Sequence, residues 1–301
     1  MAKRLFATPS GVLTAIGIIG VISKLPERFI LKLIIEHSKC LVLGERTKIE
    51  KAVDREKVLF MVRTKFRKTT KRRFLGYAWL VLDPLILSLI YLFVFTVVRA
   101  NINATSILIG ITMYRVFQTS LMAGISAIPD PNGGLKCERI STKILLSATV
   151  LHRTIDIFFQ TSLITGILVY AFDTSVSGGF IFLILCQIMG FLFFGFGSIL
   201  SPLVKRIPDI GTLIGYVLRL GFFASPAMYP MSRMTGLHYN FNEYNPFAYF
   251  AESARLLLGV DSVFESLNPL HFLLIVTVLV LLTIIGFKRI DFLRWRMTTW
   301  S

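Results

Sequence analysis

Acid is in short supply in this chain: 17 Asp and Glu stand against 33 Lys and Arg, a net charge of +16 over 301 residues. Histidine is rarer still. Its four copies, His37, His152, His238 and His271, are scattered, and the three cysteines, Cys40, Cys137 and Cys186, lie far apart. An odd, dispersed set of thiols with no C-x-x-C pair gives neither a disulfide framework nor a metal site. Cys186 sits in an apolar run, where a free thiol packs as a small hydrophobe. No H-E-x-x-H helix, no G-x-S-x-G elbow and no spaced His/Cys cluster occurs, so neither an enzyme centre nor a metal site has support. The phosphate-cradling loop G-x-x-x-x-G-K-[ST] is missing too, so the chain does not hold ATP by itself and no cofactor is expected on it. No period of 20–50 residues, no low-complexity tract and no inverted repeat is visible.

What fills the chain instead is apolar. Hydrophobic residues make up 54% of it and the mean hydropathy is +0.69. A soluble domain cannot hide that much apolar surface, whereas a bilayer solvates it directly. The positive charge is unevenly placed: residues 1–77 carry 18 Lys/Arg against 6 Asp/Glu, a local net of +12. Nucleic-acid binding would need an aromatic-basic recognition module, and none is present. A basic excess on one flank of the first apolar run is instead a topology signal and a contact with anionic membrane lipid. That run, RFLGYAWLVLDPLILSLIYLFVFTVV over 73–98, follows Lys65, Arg67, Lys68, Lys71, Arg72 and Arg73 and contains a lone Asp83. Near the N-terminus, Lys3 and Arg4 before the run from Gly11 to Ile22 imitate a signal peptide, but no A-x-A-like site follows. Twelve residues reach only about 18 Å as a helix, short of a hydrocarbon core of roughly 30 Å. Residues 29–43 alternate apolar stretches with Lys32, Glu36, His37 and Lys39, as an interfacial helix does. Residues 1–57 therefore read as a cytoplasmic or membrane-surface extension, 58–290 as the membrane domain and 291–301 as a cytoplasmic tail.

Six segments are long enough to cross: roughly 78–98, 106–128, 148–171, 180–201, 210–227 and 268–287. The loops 129–147 and 202–209 and the tail after 287 are basic, while 172–179 has no Lys or Arg and 228–267 is acidic on balance. The basic loops stay inside, which puts both termini in the cytoplasm. The forty-residue external segment holds an amphipathic stretch, Phe247 to Leu258, and Asn245-Pro246 starts a helix there. The predicted fold is an all-α integral membrane protein. It has six spans, an N-terminal amphipathic interface helix, and a re-entrant or interfacial helix before the last span. That external helix either packs on the bundle or lines an exit; a plain external loop is the alternative.

The order of motifs resembles the permease subunits of ABC exporters for bacterial surface polysaccharides: O-antigen, capsule and teichoic-acid precursors. Leu75-Gly76-Tyr77-Ala78-Trp79 follows the basic helix, with Asp83-Pro84 and Tyr91-Leu92-Phe93-Val94-Phe95 after it. Asn132-Gly133-Gly134-Leu135-Lys136 occupies the cytoplasmic loop, Ser225-Pro226-Ala227-Met228-Tyr229-Pro230 ends the fifth span, and Asn245-Pro246 and Arg255 precede the last. The resemblance covers residues 58–290. The chain departs from the pattern in a basic run longer by about one helical turn. It also has Arg139-Ile140-Ser141-Thr142 where an aromatic-Pro pair is usual, and the extra N-terminal 57 residues. The resemblance implies a homodimer in the cytoplasmic membrane with two copies of a separate ATP-binding subunit. ATP and Mg sit on that partner, and a lipid-linked polysaccharide is the cargo. An ABC permease for a drug or lipid shares the fold without this motif set. A secondary carrier, from another class, lacks the repeats and the acidic relay it would need.

Individual residues admit paired readings. In the 58–74 helix, Val58, Leu59, Val62 and Phe66 oppose Arg63, Arg67 and Lys71, with Arg73 beyond; this is a gate beside a lipid-linked substrate or a plain membrane anchor. Asp83 caps the first span. In the related permeases the 130–142 loop is a coupling helix, which here would use Asn132, Leu135, Lys136, Glu138 and Arg139; the alternative is a solvated basic loop. Tyr91, Tyr114, Tyr216 and Tyr229 head the candidates for a substrate path, because their hydroxyls need a partner or water, whereas most of the 26 Phe pack or face lipid. Arg115 and Arg219 lie inside spans, where charge must face water or pair. They line a hydrated path, or one of them pairs with Asp156. Gly190, Gly195 and Gly197 form a small-residue face, for a dimer seam or for packing within one bundle.

Overall fold

The computed structural model describes residues 52–67, scattered helical positions between 78 and 93, residues 103–128 and 142–260, Ser262 and Val263, and 269–297. The chain divides into two compact units, 1–57 and 58–301. Of the first, residues 52–57 are described, and they are helical.

The second unit opens with helix α1 (58–67). Val62 is buried while Arg63 and Arg67 are exposed, as the spacing predicts. The apolar stripe is narrower than expected: Val58, Val62 and Phe66 keep an i, i+4 register on the packed side, and Leu59 falls outside it and is exposed. There follow α2 (Ala104–Ile125), α3 (Thr142–Ala171), α4 (Val176–Arg206), α5 (Pro208–Ala224), a 3-10 turn (Met231–Arg233), α6 (Leu237–Glu243), α7 (Pro246–Leu257) and α8 (Pro269–Met297). Among the described residues there is no strand.

Three of these helices are long and apolar enough to cross a bilayer: Ile144–Ala171, Val176–Arg206 and Leu270–Ile290. The first expected span, 78–98, lies mostly outside the described residues, so the described helices do not add up to six. α3, α4 and α8 run several residues past the apolar segments that announced them. A helix continues until its backbone groups find another partner. In α4 that happens at Ser175, whose side chain accepts the Gly178 N–H at 3.1 Å, and after Lys205 and Arg206, which suit the carbonyl end.

α4 is the central post, packed against α2, α3 and α8. Its glycines set how close those neighbours come. A Cβ on Gly197 would sit 2.3 Å from the Leu121 carbonyl oxygen, and one on Gly124 of α2 would sit 2.2 Å from that of Phe194. The two backbones touch, which only glycine permits. Gly190 faces Ile157 and Gly195 faces Thr283 in the same way. The three glycines therefore meet three different neighbours within one chain, and they do not form a shared seam. Between the helices lies a buried core of Ile, Phe and Met side chains, with Cys186 among them, its Sγ 3.3 Å from Met113 Sδ.

Candidate functional site

α5 differs from the helices around it. Pro208 fixes its first turn with Asp209 behind it, and among its residues only Leu218 and Phe222 are buried. Between α5 and Met122 of α2 lies an open groove of about 380 Å³, lined by Pro208, Gly211, Thr212, Gly215, Tyr216 and Arg219. The Arg219 guanidinium stands over the Tyr216 ring at 5.5 Å, a cation–π contact, and both side chains are exposed. A Cβ on Gly215 would meet nothing within 4 Å, so the groove floor is open there. Arg219 lies eleven residues from Pro208, about 16 Å along the helix. Of the expected path residues, Tyr216 and Arg219 are thus brought together on one accessible face.

The remaining candidates go elsewhere. Tyr114 is buried in the interior of the chain: its hydroxyl donates to the Leu218 carbonyl, and its ring meets Phe117, Phe222 and Phe247 edge-on. It fixes α5 from behind and does not reach the groove surface. Tyr229 donates to the Phe223 carbonyl at 2.9 Å and stands 3.5 Å from His238 Nε2, so its hydroxyl ties the turn after α5 to that helix. Arg115 is half-buried in α2, its carbonyl accepting from Thr119 Oγ1 at 2.5 Å. Neither Arg115 nor Arg219 is the ion-pair partner of Asp156. That partner is Arg153, three residues earlier on the same helix, where an i, i+3 pair meets without any long-range fit. Arg153 also donates Nε to Ser120 Oγ at 3.2 Å and an Nη to Thr119 Oγ1, which joins α3 to α2.

On α1, Arg63 and Arg67 face outward while Lys65 donates to Thr149 Oγ1 of α3 at 2.5 Å and Phe66 packs on the His152 ring at 4.3 Å. Burial holds the Lys65 amine below the ordinary lysine range. Lys71, Arg73, Asp83, Tyr91 and the loop residues Asn132, Leu135, Lys136, Glu138 and Arg139 lie outside the described residues. So do Cys40, Cys137 and the interfacial stretch 29–43.

The sequence reading missed what α7 is built around. Asn245 caps it as expected, accepting the Phe247 N–H at 3.0 Å, with Pro246 in the first turn. The stretch packs on the bundle, one of the two placements expected for it, with Phe247 through Arg255 all buried. Its two charges, Glu252 and Arg255, are 0% exposed and pair at 2.8 Å. Arg255 Nε donates to Ser106 Oγ of α2 at 2.8 Å and Nη2 to the Pro226 carbonyl at 2.7 Å. Glu252 accepts the Met231 N–H at 2.9 Å on Oε1, and the Ser262 hydroxyl (3.0 Å) and Val263 N–H (3.1 Å) on Oε2. One ion pair thus fastens the start of α2, the turn after α5, α7 and the segment leading to α8. Gly110 makes room for it: a Cβ there would lie 1.9 Å from the Ala227 oxygen and 2.7 Å from Arg255 Nη2. The spacing of Glu252 and Arg255 was the signal available in the sequence; a mixed-sign pair at i, i+3 can neutralise itself and bury.

Residues 56–258 match the model of the ABC-2 type transporter family. The chain belongs to that family. It is also 27% identical over 180 residues to the O-antigen export system permease protein RfbA of Myxococcus xanthus, covering 58% of this chain and 68% of that protein. Together these make it an ABC permease of the polysaccharide exporter type, a multi-pass transmembrane subunit without its own ATPase that works with an ABC ATPase partner. In this ABC-2 permease, the exposed Tyr216–Arg219 face and the buried Glu252–Arg255 pair are the two contrasting sites.

Proposed function

We propose that this permease exports a lipid-linked surface polysaccharide of the O-antigen or capsule kind across the cytoplasmic membrane. It works as a homodimer with two copies of the ATPase. It has six spans and both termini in the cytoplasm, and the loop carrying Asn132, Leu135, Lys136, Glu138 and Arg139 transmits the ATPase motion. α1, with Arg63, Arg67, Lys71 and Arg73 on or after it, lies at the inner interface beside the incoming lipid carrier. The cargo moves along the face of α5.

The observation that carries this reading is the placement of Arg219. A guanidinium exposed two-thirds of the way along a 17-residue, mostly apolar helix is costly against lipid, and it is stable only against water or a polar partner. Stacked on Tyr216 over an open groove, it offers a cation and an aromatic face. Sugar C–H faces stack on such rings, and acidic sugars or a pyrophosphate meet the arginine. The distant likeness to an O-antigen export permease supports the same cargo class. Nothing on α5 is built for chemistry on the cargo; the free energy comes from the partner.

Co-purification from native membranes tests the assembly. A Walker-motif ATPase in equal numbers, lost when Leu135–Arg139 are replaced, is the expected result. A chain that purifies alone and transports without ATP would overturn it.

A further inference from the structure

The Arg153–Asp156 pair differs from the Glu252–Arg255 pair in its place: it sits on the two helices that bracket the loop at 130–142. Thr149, His152, Arg153 and Asp156 fall at i, i+3, i+4 and i+7 of α3, on one face of that helix. Thr149 accepts from Lys65 and the His152 ring meets Phe66, so α1 is seated on this face. Arg153 turns to α2 instead. It is buried, and its guanidinium is used as a fork: Nε donates to Ser120 Oγ at 3.2 Å, Nη2 to Thr119 Oγ1 and Nη1 to Asp156. Toward the loop the two helices keep company in antiparallel order. Seven residues beyond Ser120 and Arg153, Ala127 and Leu146 share one apolar cluster, with Ala123 and Val150 packed against it.

We propose that Arg153 is a positioning residue for transport: its fork makes α2 and α3 a single lever, so that a push on the loop between them moves both helices together, and α1 with them. This rests on the reading of that loop as the one that takes up the ATPase motion. Apolar packing alone does not guarantee such a lever. α2 and α3 each pack more extensively on α4 than on each other. Packed helices slide past one another in small shear movements, and the hydrophobic effect that holds them has no direction. Charge-assisted hydrogen bonds are directional, and a guanidinium fork fixes register as well as distance. Asp156 holds one end of the guanidinium from its own helix, which leaves Nε and Nη2 aimed at α2. Gly190 of α4 leaves room for the contact: a Cβ there would lie 3.2 Å from Ser120 Oγ. The fork lies about 8 Å from the loop end of α2 and about 16 Å from that of α3, so it joins the two helices well inside the bundle.

The test uses the permease with its ATPase in lipid vesicles. Nitroxides at Ser126→Cys and Ser147→Cys, both exposed and both six residues to the loop side of Ser120 and Arg153, read the spacing of the helix ends by dipolar broadening. Cys40→Ser and Cys137→Ser remove other thiols, and the buried Cys186 stays in place. In the parent, the broadening should be the same without nucleotide and after vanadate trapping. Arg153→Met with Asp156→Leu replaces the pair by apolar groups, a change close to neutral for stability. This double variant should assemble and hydrolyse ATP, and its broadening should change on trapping. Its export of radiolabelled lipid-linked polysaccharide per ATP should fall about tenfold. Arg153→Lys keeps the charge and loses the fork, and should show the same changes to a smaller degree. A parent spacing that changes on trapping, or a double variant that matches the parent in spacing and export, would overturn the proposal. Failure of both variants to assemble would overturn it too, leaving Arg153 a structural residue only. The reading of the loop fails by a different sign, an ATPase that still binds once Leu135–Arg139 are replaced, and the spin pair reports on Arg153 in either case.

Discussion

Two arginines in this permease, each on a helix that opens with proline, are treated in opposite ways. Arg255 has no exposed surface; each of its three nitrogens has an acceptor within 2.8 Å, and its counter-charge Glu252 is saturated on both oxygens. Arg219 is exposed and lies over an aromatic ring above an open groove. The first arrangement leaves no bond to spare for a ligand. A buried ion pair contributes little net stability over an apolar replacement, but it fixes four segments in one register, and removing one partner strands the other. The second arrangement leaves donors available and places no structural burden on them. The same residue type is thus a fastener in α7 and a candidate cargo contact in α5.

Substitutions should separate these roles. Glu252→Ala should do most damage, because it leaves Arg255 charged in a dry site; about 3–5 kcal/mol of stability goes with it. Membrane abundance and a thermal melt in detergent read that loss, and an unchanged melt would remove the fastener role. Gly110→Ala comes next. Its new methyl overlaps the Ala227 carbonyl and crowds Arg255, so about 1–3 kcal/mol is expected, read the same way. Tyr229→Phe removes one hydroxyl donor to Phe223 and should lower stability by about 1 kcal/mol, visible as a small shift of the melt. Arg219→Gln should fall within about 0.5 kcal/mol of the parent, as surface changes do, while export drops sharply. Equal losses of export and of membrane protein would turn Arg219 into a second fastener.

What the sequence disclosed and what it withheld divide along physical lines. Local chemistry was legible. Asn245-Pro246 announced the start of α7, and the outward Arg63 and Arg67 and the buried Cys186 followed from spacing and polarity alone. Tertiary partners were not. Asp156 looked like a long-range counter-ion for Arg115 or Arg219, although Arg153 stood one turn away on the same helix. Glu252 and Arg255 gave α7 a polar side on paper, and their mutual neutralisation let that side bury. Tyr114 and Tyr216 are the same residue in the same kind of helix. Only packing distinguishes one that holds Leu218 from one that stands in the open.

That last pair gives the most direct test of the cargo path. A photoreactive benzoyl-phenylalanine replaces Tyr216 in one sample and Tyr114 in another, and the permease–ATPase complex is illuminated with radiolabelled lipid-linked polysaccharide during ATP turnover. The account predicts labelling from position 216 that requires ATP hydrolysis, and none from position 114. Labelling from 114, or silence at 216 in a complex that still exports, would contradict it.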